Sequence, residues 1–432
     1  MKKLCIRQLM ATSIILFSLA AIFMVSEADD VLAQQIDPLN ESAAGMSDQG
    51  ISKAGTMSPV SSASNDLGLR IFSQCFKTQP LENVFISPYS IFSALVMLYN
   101  GASANTRAEF DRVMLSGGIE IVTLNASCME LRKSLDAADP KVVFEAANSI
   151  WVKKTLKLKE NFSKFNKYYH SSEALPLETP EAIDDWVKKN TRDKISLLLP
   201  DETIKMMSMA LINAIYFKGS WSKTFEAAKT KKADFKTADG KAIKCDMMET
   251  FDDFRYFESG GLQAVELPYG SKRFVMRIFL PAPEYSIKDL IDSLAAGKFA
   301  EFSKKFYKRE GTVKIPKFKI SYENELSEVL KMLGISDAFS PQNADFGKMA
   351  ELKPDSPKLF VNQVIHKTFV EVNEEGTEAA AVTAVMMKTM SAVSAIEPFK
   401  FTAERPFVFA IVDSVSETLI FTGVINDPVK AE

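Results

Sequence analysis

The fold is decided by HKTFVEVNEEGTEAAA, residues 366–381, and by its continuation VTAV to residue 385. The apolar run LFVNQVIHKTFV (359–370) precedes it and reads as a strand, as does RPFVFAIVD (405–413) beyond it. Between the two, no bulky side chain occurs from Gly376 to Ala381, and only Val382 and Val385 break the small run after that. Alanine is the best helix former, so a short helix is one reading. A flexible linker is another. Neither says why a chain so rich in large residues keeps this piece small and begins it with acids.

Composition bounds the answer. The chain has 432 residues with 47% hydrophobic and 25% charged side chains, enough for a sizeable core. Its formal charge of −3 supplies no bulk attraction to nucleic acid. Residues 1–33 read as a secretory signal peptide. Lys2, Lys3 and Arg7 precede an apolar run from Met10 to Val25, shorter than the roughly 20 residues of a spanning helix. Small residues after it offer cleavage at Ala28 or Ala33, with an uncleaved anchor as the alternative. A secreted or extracytoplasmic protein follows, without stable membrane contact once the signal is removed. Residues 34–65, rich in Ser, Ala and Gly, read as a disordered tether, and residues 66–430 as a single domain. Cys75, Cys128 and Cys245 are far apart and odd in number, which predicts buried free thiols.

Helix signals lie early. Leu67, Ile71, Phe72, Cys75 and Phe76 share one face. In 87–102, Ser87 is an N-cap, Pro88 suits the first turn and Gly101 supplies the stop. Residues 181–190 and 323–334 predict further helices, the second closed by Gly334. Strands are predicted at 142–152, 210–218, 274–280, 364–372, 406–412 and 418–425. The pattern is α+β with a substantial, mostly antiparallel sheet.

Catalytic chemistry is poorly supplied. The chain has two histidines, His170 and His366. His366 sits mid-strand on an apolar face and predicts a hydrogen-bonded core residue; His170 reads as a loop or helix-end residue. No cysteine pair has zinc spacing and no phosphate-binding glycine loop occurs. The basic run 302–310 reads as the solvated face of a surface helix. No enzyme activity and no cofactor are expected.

Several motifs, in order, resemble those of the serpin family from about residue 64 to residue 428: NVFISPYSIFSALVMLYNGASANT (83–106), LINAIYFKGSWSKTF (211–225), VKIPKFKI (313–320), LKMLGISDAF (330–339), HKTFVEVNEEGTEAAA (366–381) and RPFVFAI (405–411). The resemblance implies a five-stranded large sheet, two smaller sheets, eight or nine helices and an exposed reactive-centre loop. The 371–385 stretch would be the hinge of that loop. Loop insertion into the sheet is an established property of the family.

An inserting strand alternates faces with period two. Thr377, Ala379, Ala381, Thr383 and Val385 would point inward, and Glu378, Ala380, Val382 and Ala384 outward. The inward set is uncharged and small, so it can enter between packed strands without overpacking, which costs ~1–3 kcal/mol. Gly376, after Glu374 and Glu375, permits a turn with φ > 0.

By resemblance, Glu374 stands at the base of the loop with Lys317 as its partner, and Trp221 packs where the loop enters. Ser87, Ser90, Asn148, Asn213 and His366 form a polar gating cluster beneath the opening point. The reactive bond falls seventeen positions along, counting Glu374 as the first, at Met390–Ser391; Lys388 competes, as do Met387 and Thr389. Methionine there suits elastase-, chymotrypsin- or subtilisin-like proteases. Asp193 stands where the family usually has glycine, so a local loop difference is expected. The implied function is a one-use inhibitor of a serine protease, monomeric and covalently trapped with its target. The alternative is a non-inhibitory serpin serving in binding or storage, whose hinge would typically be bulky or charged.

Overall fold

The computed structural model describes residues 57–115, 118–197, 199–351, 358–377 and 397–430. The signal peptide, most of the tether, Met390–Ser391 and the hinge residues Glu378, Ala379, Ala380 and Ala381 lie outside the described residues. Among those described, no helix is long and apolar enough to cross a membrane.

Among the described residues, seventeen strands form three sheets. The large sheet holds β2 (Val142–Lys153), β4 (Glu173–Leu177), β5 (Met209–Ser220), β11 (Phe318–Glu325), β13 (Gln363–Val372) and β14 (Gly376–Thr377). Its order is β11-β13-β14-β5-β2-β4, with β13 also pairing β5 directly. The stub β14 apart, five strands make up the sheet. β11–β13 and β5–β2 are antiparallel, whereas β13–β5 and β2–β4 are parallel.

A nine-strand network contains β1 (Val84–Ile86), β6 (Lys231–Lys236), β7 (Ala242–Ser259), β8 (Leu262–Pro268), β9 (Phe274–Pro281), β10 (Tyr307–Pro316), β15 (Phe399–Thr402), β16 (Phe407–Asp413) and β17 (Thr418–Ile425). The two expected smaller sheets are joined here because the 18-residue β7 pairs β6 over its first third and β8 over its last. A two-strand ladder links β3 (Lys157–Leu158) to β12 (Ala350–Glu351). Ten α-helical segments occur among the described residues, or nine when Ile287–Ser293 and Phe299–Ser303 count as one helix kinked at Gly297.

Four boundaries differ from the sequence reading. The tether does not run to residue 65: helix Pro59–Thr78 begins inside it, capped by Ser58. Its small residues are packing residues. Ser61 Oγ lies 2.8 Å from Thr418 Oγ1, and Asn65 Oδ1 accepts from the Leu419 N–H, so they fit tightly against β17. Helix Pro88–Gly101 does carry the Ser87 cap, but Gly101 is its last helical residue rather than a left-handed stop. A Cβ at Gly101 would lie 2.9 Å from Met349 Cβ, so close packing explains the glycine.

The helix assigned to 323–334 spans only Ser327–Leu333. Alternating burial of Phe318, Ile320 and Tyr322 carries β11 through Glu325, whose carboxylate accepts from the Ser327 N–H. Gly334 closes the helix with φ +107. In 302–310, residues 307–310 belong to β10 and not to a helix. Lys305 and Lys308 there pair with Glu301 and Asp253 at 2.8 and 3.2 Å. At the loop with the unusual residue, Arg192 and Asp193 both hold positive φ, +53 and +59. Arg192 is fixed there by two nitrogens on the Glu145 carboxylate.

Candidate functional site: the opening between two parallel strands

β13 and β5 run in parallel contact from Gln363↔Ala210 to Phe369↔Tyr216 and part above that pair. The chain leaves β13 at Val372, turns through 373–376 and re-enters the gap as β14. Asn373 makes the turn: its Oδ1 accepts from the N–H of Glu375 and of Gly376, and its own N–H donates to Gly376 O. An Asx side chain suits this role because it bonds its own backbone two residues on. Gly376 takes φ +148, and a Cβ there would lie 2.2 Å from Gly219 O and 2.6 Å from Ser220 Cα. The backbones meet so closely that only glycine fits.

β14 is antiparallel to both neighbours. Thr377 pairs Val372 on one side and Gly219 on the other, and Gly376 pairs Ser220. Thr377 is fully buried, and its hydroxyl lies 2.8 Å from Tyr269 Oη.

Trp221 sits against this turn. Its indole N–H donates to Asn373 O at 3.0 Å and its backbone N–H to Glu375 O at 2.8 Å, while the Phe225 N–H takes Glu374 O. The Trp221 ring stacks on Tyr269 at 4.4 Å and 15°. The Glu374 side chain accepts from Thr230 Oγ1 at 2.8 Å and pairs with Lys317 at 2.9 Å. Burial by itself would raise the Glu374 carboxyl, but the bonds from Lys317, the backbone and Thr230 outweigh it and hold the group below the usual range.

Lower in the sheet, the five polar residues form one network. The Ser87 N–H donates to His366 Nε2 at 3.1 Å, and Ser87 Oγ donates to Ile420 O and accepts from the Ser90 N–H. Asn213 Nδ2 donates to both Ser90 Oγ and Asn148 Oδ1. Asn213 Oδ1 faces His366 Nδ1. Because Nε2 accepts, the ring proton sits on Nδ1, and burial pushes the imidazole down to about 3. With its ring nitrogens taken by the Ser87 N–H and Asn213 Oδ1, His366 links the start of helix Pro88–Gly101 to the β13–β5 pair.

His170, the last residue of helix Glu160–His170, is bonded to Asn125 at 2.6 Å and is likewise pushed down to about 3 by burial and by the Arg132 charge. Asn125 also exchanges bonds with Asn100. Cys75, Cys128 and Cys245 are buried and free, and burial drives the first two thiols up to about 12. No group of three His, Cys, Asp or Glu residues suited to a metal occurs among the described residues.

Two parallel strands thus part at one end, with a glycine-led segment paired between them. The family model described as Serpin (serine protease inhibitor) matches residues 62–428. The chain belongs to the serpin family. Serpin-Z1C of Triticum aestivum is 33% identical over 80% of this chain and 90% of its own. The leukocyte elastase inhibitor of Equus caballus is 30% identical over 86% and 100%. The native-state structure of tengpin, a thermophilic serpin, covers 88% of this serpin and 97% of its own chain at a TM-score of 0.77 and 27% identity. Serpins are a family of protease inhibitors rather than catalysts.

Sequence reasoning missed Tyr269, Thr230 and Asn373 at this site. Asn373 carried a signal, since Asn three residues before Gly is a turn pattern. Tyr269 and Thr230 carried none, because they arrive from distant turns.

Proposed function

We propose that this serpin is an exported suicide-substrate inhibitor of serine proteases. The observation that carries the reading is β14: the first residues of the loop segment are small, uncharged, buried and antiparallel to both strands of the gap. Further residues entering in the same direction would replace one parallel contact with two antiparallel ladders, the slightly stronger pairing per residue. The sequence beyond Thr377 stays small and uncharged on alternate positions as far as Val385.

In this account the protease attacks the Met390 carbonyl and its serine forms an ester there, releasing the amine of Ser391. Residues 378–389 then follow Thr377 between β13 and β5 and draw the acyl-enzyme away. Hydrolysis of the ester stalls once the oxyanion donors lose their geometry, where one lost donor costs ~10²–10³ in rate. The polar cluster around His366 would hold the lower gap closed until the loop arrives, and Glu374–Lys317 would fix the pivot. The name of the equine relative, leukocyte elastase inhibitor, supports an elastase-like target.

The test is thermal unfolding before and after cleavage of the loop by a protease of unrelated mechanism. Insertion predicts a large rise in the unfolding temperature of the cleaved form. An unchanged temperature would favour a binding or storage role instead.

A further inference from the structure

Tyr269 is tied to the site by geometry alone. It follows β8, its backbone N–H bonds Phe274 O, and its ring is clamped between Trp221 at 4.4 Å and Phe217 at 5.2 Å. The stacking leaves the phenol no freedom to swing, and the side chain is fully buried. A buried tyrosine hydroxyl needs a partner. The partner is the Thr377 hydroxyl, 2.8 Å away. Of the four residues that follow, Ala379, Ala380 and Ala381 bring no polar side chain and Glu378 belongs to the set expected to point outward.

We propose that Tyr269 is a positioning residue for loop insertion, holding Thr377 in the gap so that strand addition starts from a seated end. The inference rests on the inhibitor reading for its consequence, though the latch itself does not. Starting a strand orders several backbone torsions before the ladder returns anything, as in helix nucleation. A hinge already seated has met that cost, so each later residue adds its ladder bonds at once. Speed matters because insertion competes with hydrolysis of the acyl-enzyme. A loosened hinge gives hydrolysis more time, and more inhibitor is spent as cleaved substrate for each protease trapped. The site also reads the residue at position 377 for a hydroxyl and not for size alone: valine fills the same volume and leaves the phenol unpaired.

The experiment uses the full chain in two arms. Hydrogen exchange over 372–377, without protease, reads the latch. Tyr269→Phe and Thr377→Val should each speed exchange there by roughly fivefold, the factor for one neutral hydrogen bond. The double variant should be no faster than either, and Thr377→Ser, which keeps the hydroxyl, should match the parent. The second arm titrates whichever of chymotrypsin, elastase and subtilisin the parent traps and counts inhibitor molecules consumed per SDS-stable complex. That number should rise several-fold in Tyr269→Phe and Thr377→Val and stay at the parent value in Thr377→Ser.

Unchanged exchange in both variants overturns the latch. Faster exchange with an unchanged count overturns its role in insertion. Should Tyr269→Phe fail to fold, Thr377→Val carries both arms from the loop side. A parent that traps no protease overturns the inhibitor reading, and the exchange arm still judges the latch.

Discussion

Lys317 and Glu374 meet at 2.9 Å across the mouth of the gap, with Glu374 mostly buried and Lys317 more open. The pair joins the link between β10 and β11 to the turn that carries the loop. Because Thr230 and the backbone share the carboxylate, Glu374 is worth more than an exposed surface ion pair. Glu374→Gln should cost about 1 kcal/mol in urea unfolding. Glu374→Lys should cost more, since it sets two ammonium groups together, and adding Lys317→Glu should restore part of the loss. Additive losses in that double variant would deny the coupling.

Gly376→Ala tests the close approach of the turn to β5. With a Cβ placed 2.2 Å from Gly219 O, the turn must lift, and stability should fall by about 1–3 kcal/mol. Trp221, whose indole N–H holds Asn373 O, should report the lift as a red shift in emission. Parental stability and emission would place the turn elsewhere in solution.

Thr377→Arg should convert inhibitor into substrate. Thr377 is fully buried beside Tyr269, and a guanidinium forced there loses its water. Cleavage of the variant by chymotrypsin with no stable complex is the expected result, read on a denaturing gel. Undiminished complex formation would contradict insertion through this position.

Acid should weaken the fold through its histidines. In the unfolded chain each takes up a proton near pH 6.5, whereas His170 and His366 in the fold resist protonation until about 3. The unfolded state therefore binds more protons throughout that window. The contribution is complete above pH 6.5 and is lost as pH falls, at about 1.4 kcal/mol per pH unit for each histidine. Between pH 6.5 and 5, His170→Gln should remove one histidine's share of the slope. A slope unchanged by that substitution would show that His170 titrates normally.

Much of this was legible in the sequence because local chemistry and fold agree. Ser87-Pro88 announces a helix start, and Gly376 announces a turn that side chains would not fit. Ser58-Pro59 carries the same signal, but the serines and alanines around it look like linker while Ser61 packs against β17. Residues 323–325 misled because glutamates favour helices, while the alternation of Phe318, Ile320 and Tyr322 decided for strand. Pairing of Thr377 with Tyr269 spans 108 residues, and no local pattern encodes it. The strand register that brings Gly376 against Ser220 is set by β5 and β13 together, so it emerges only with the sheet.

The central claim is the covalent trap. Incubation with chymotrypsin, elastase, subtilisin and trypsin, followed by a denaturing gel, tests it most directly. An SDS-stable complex with at least one of the first three, and a released peptide beginning at Ser391, is the expected result. Clean cleavage of the loop by every protease, with no complex, would contradict it.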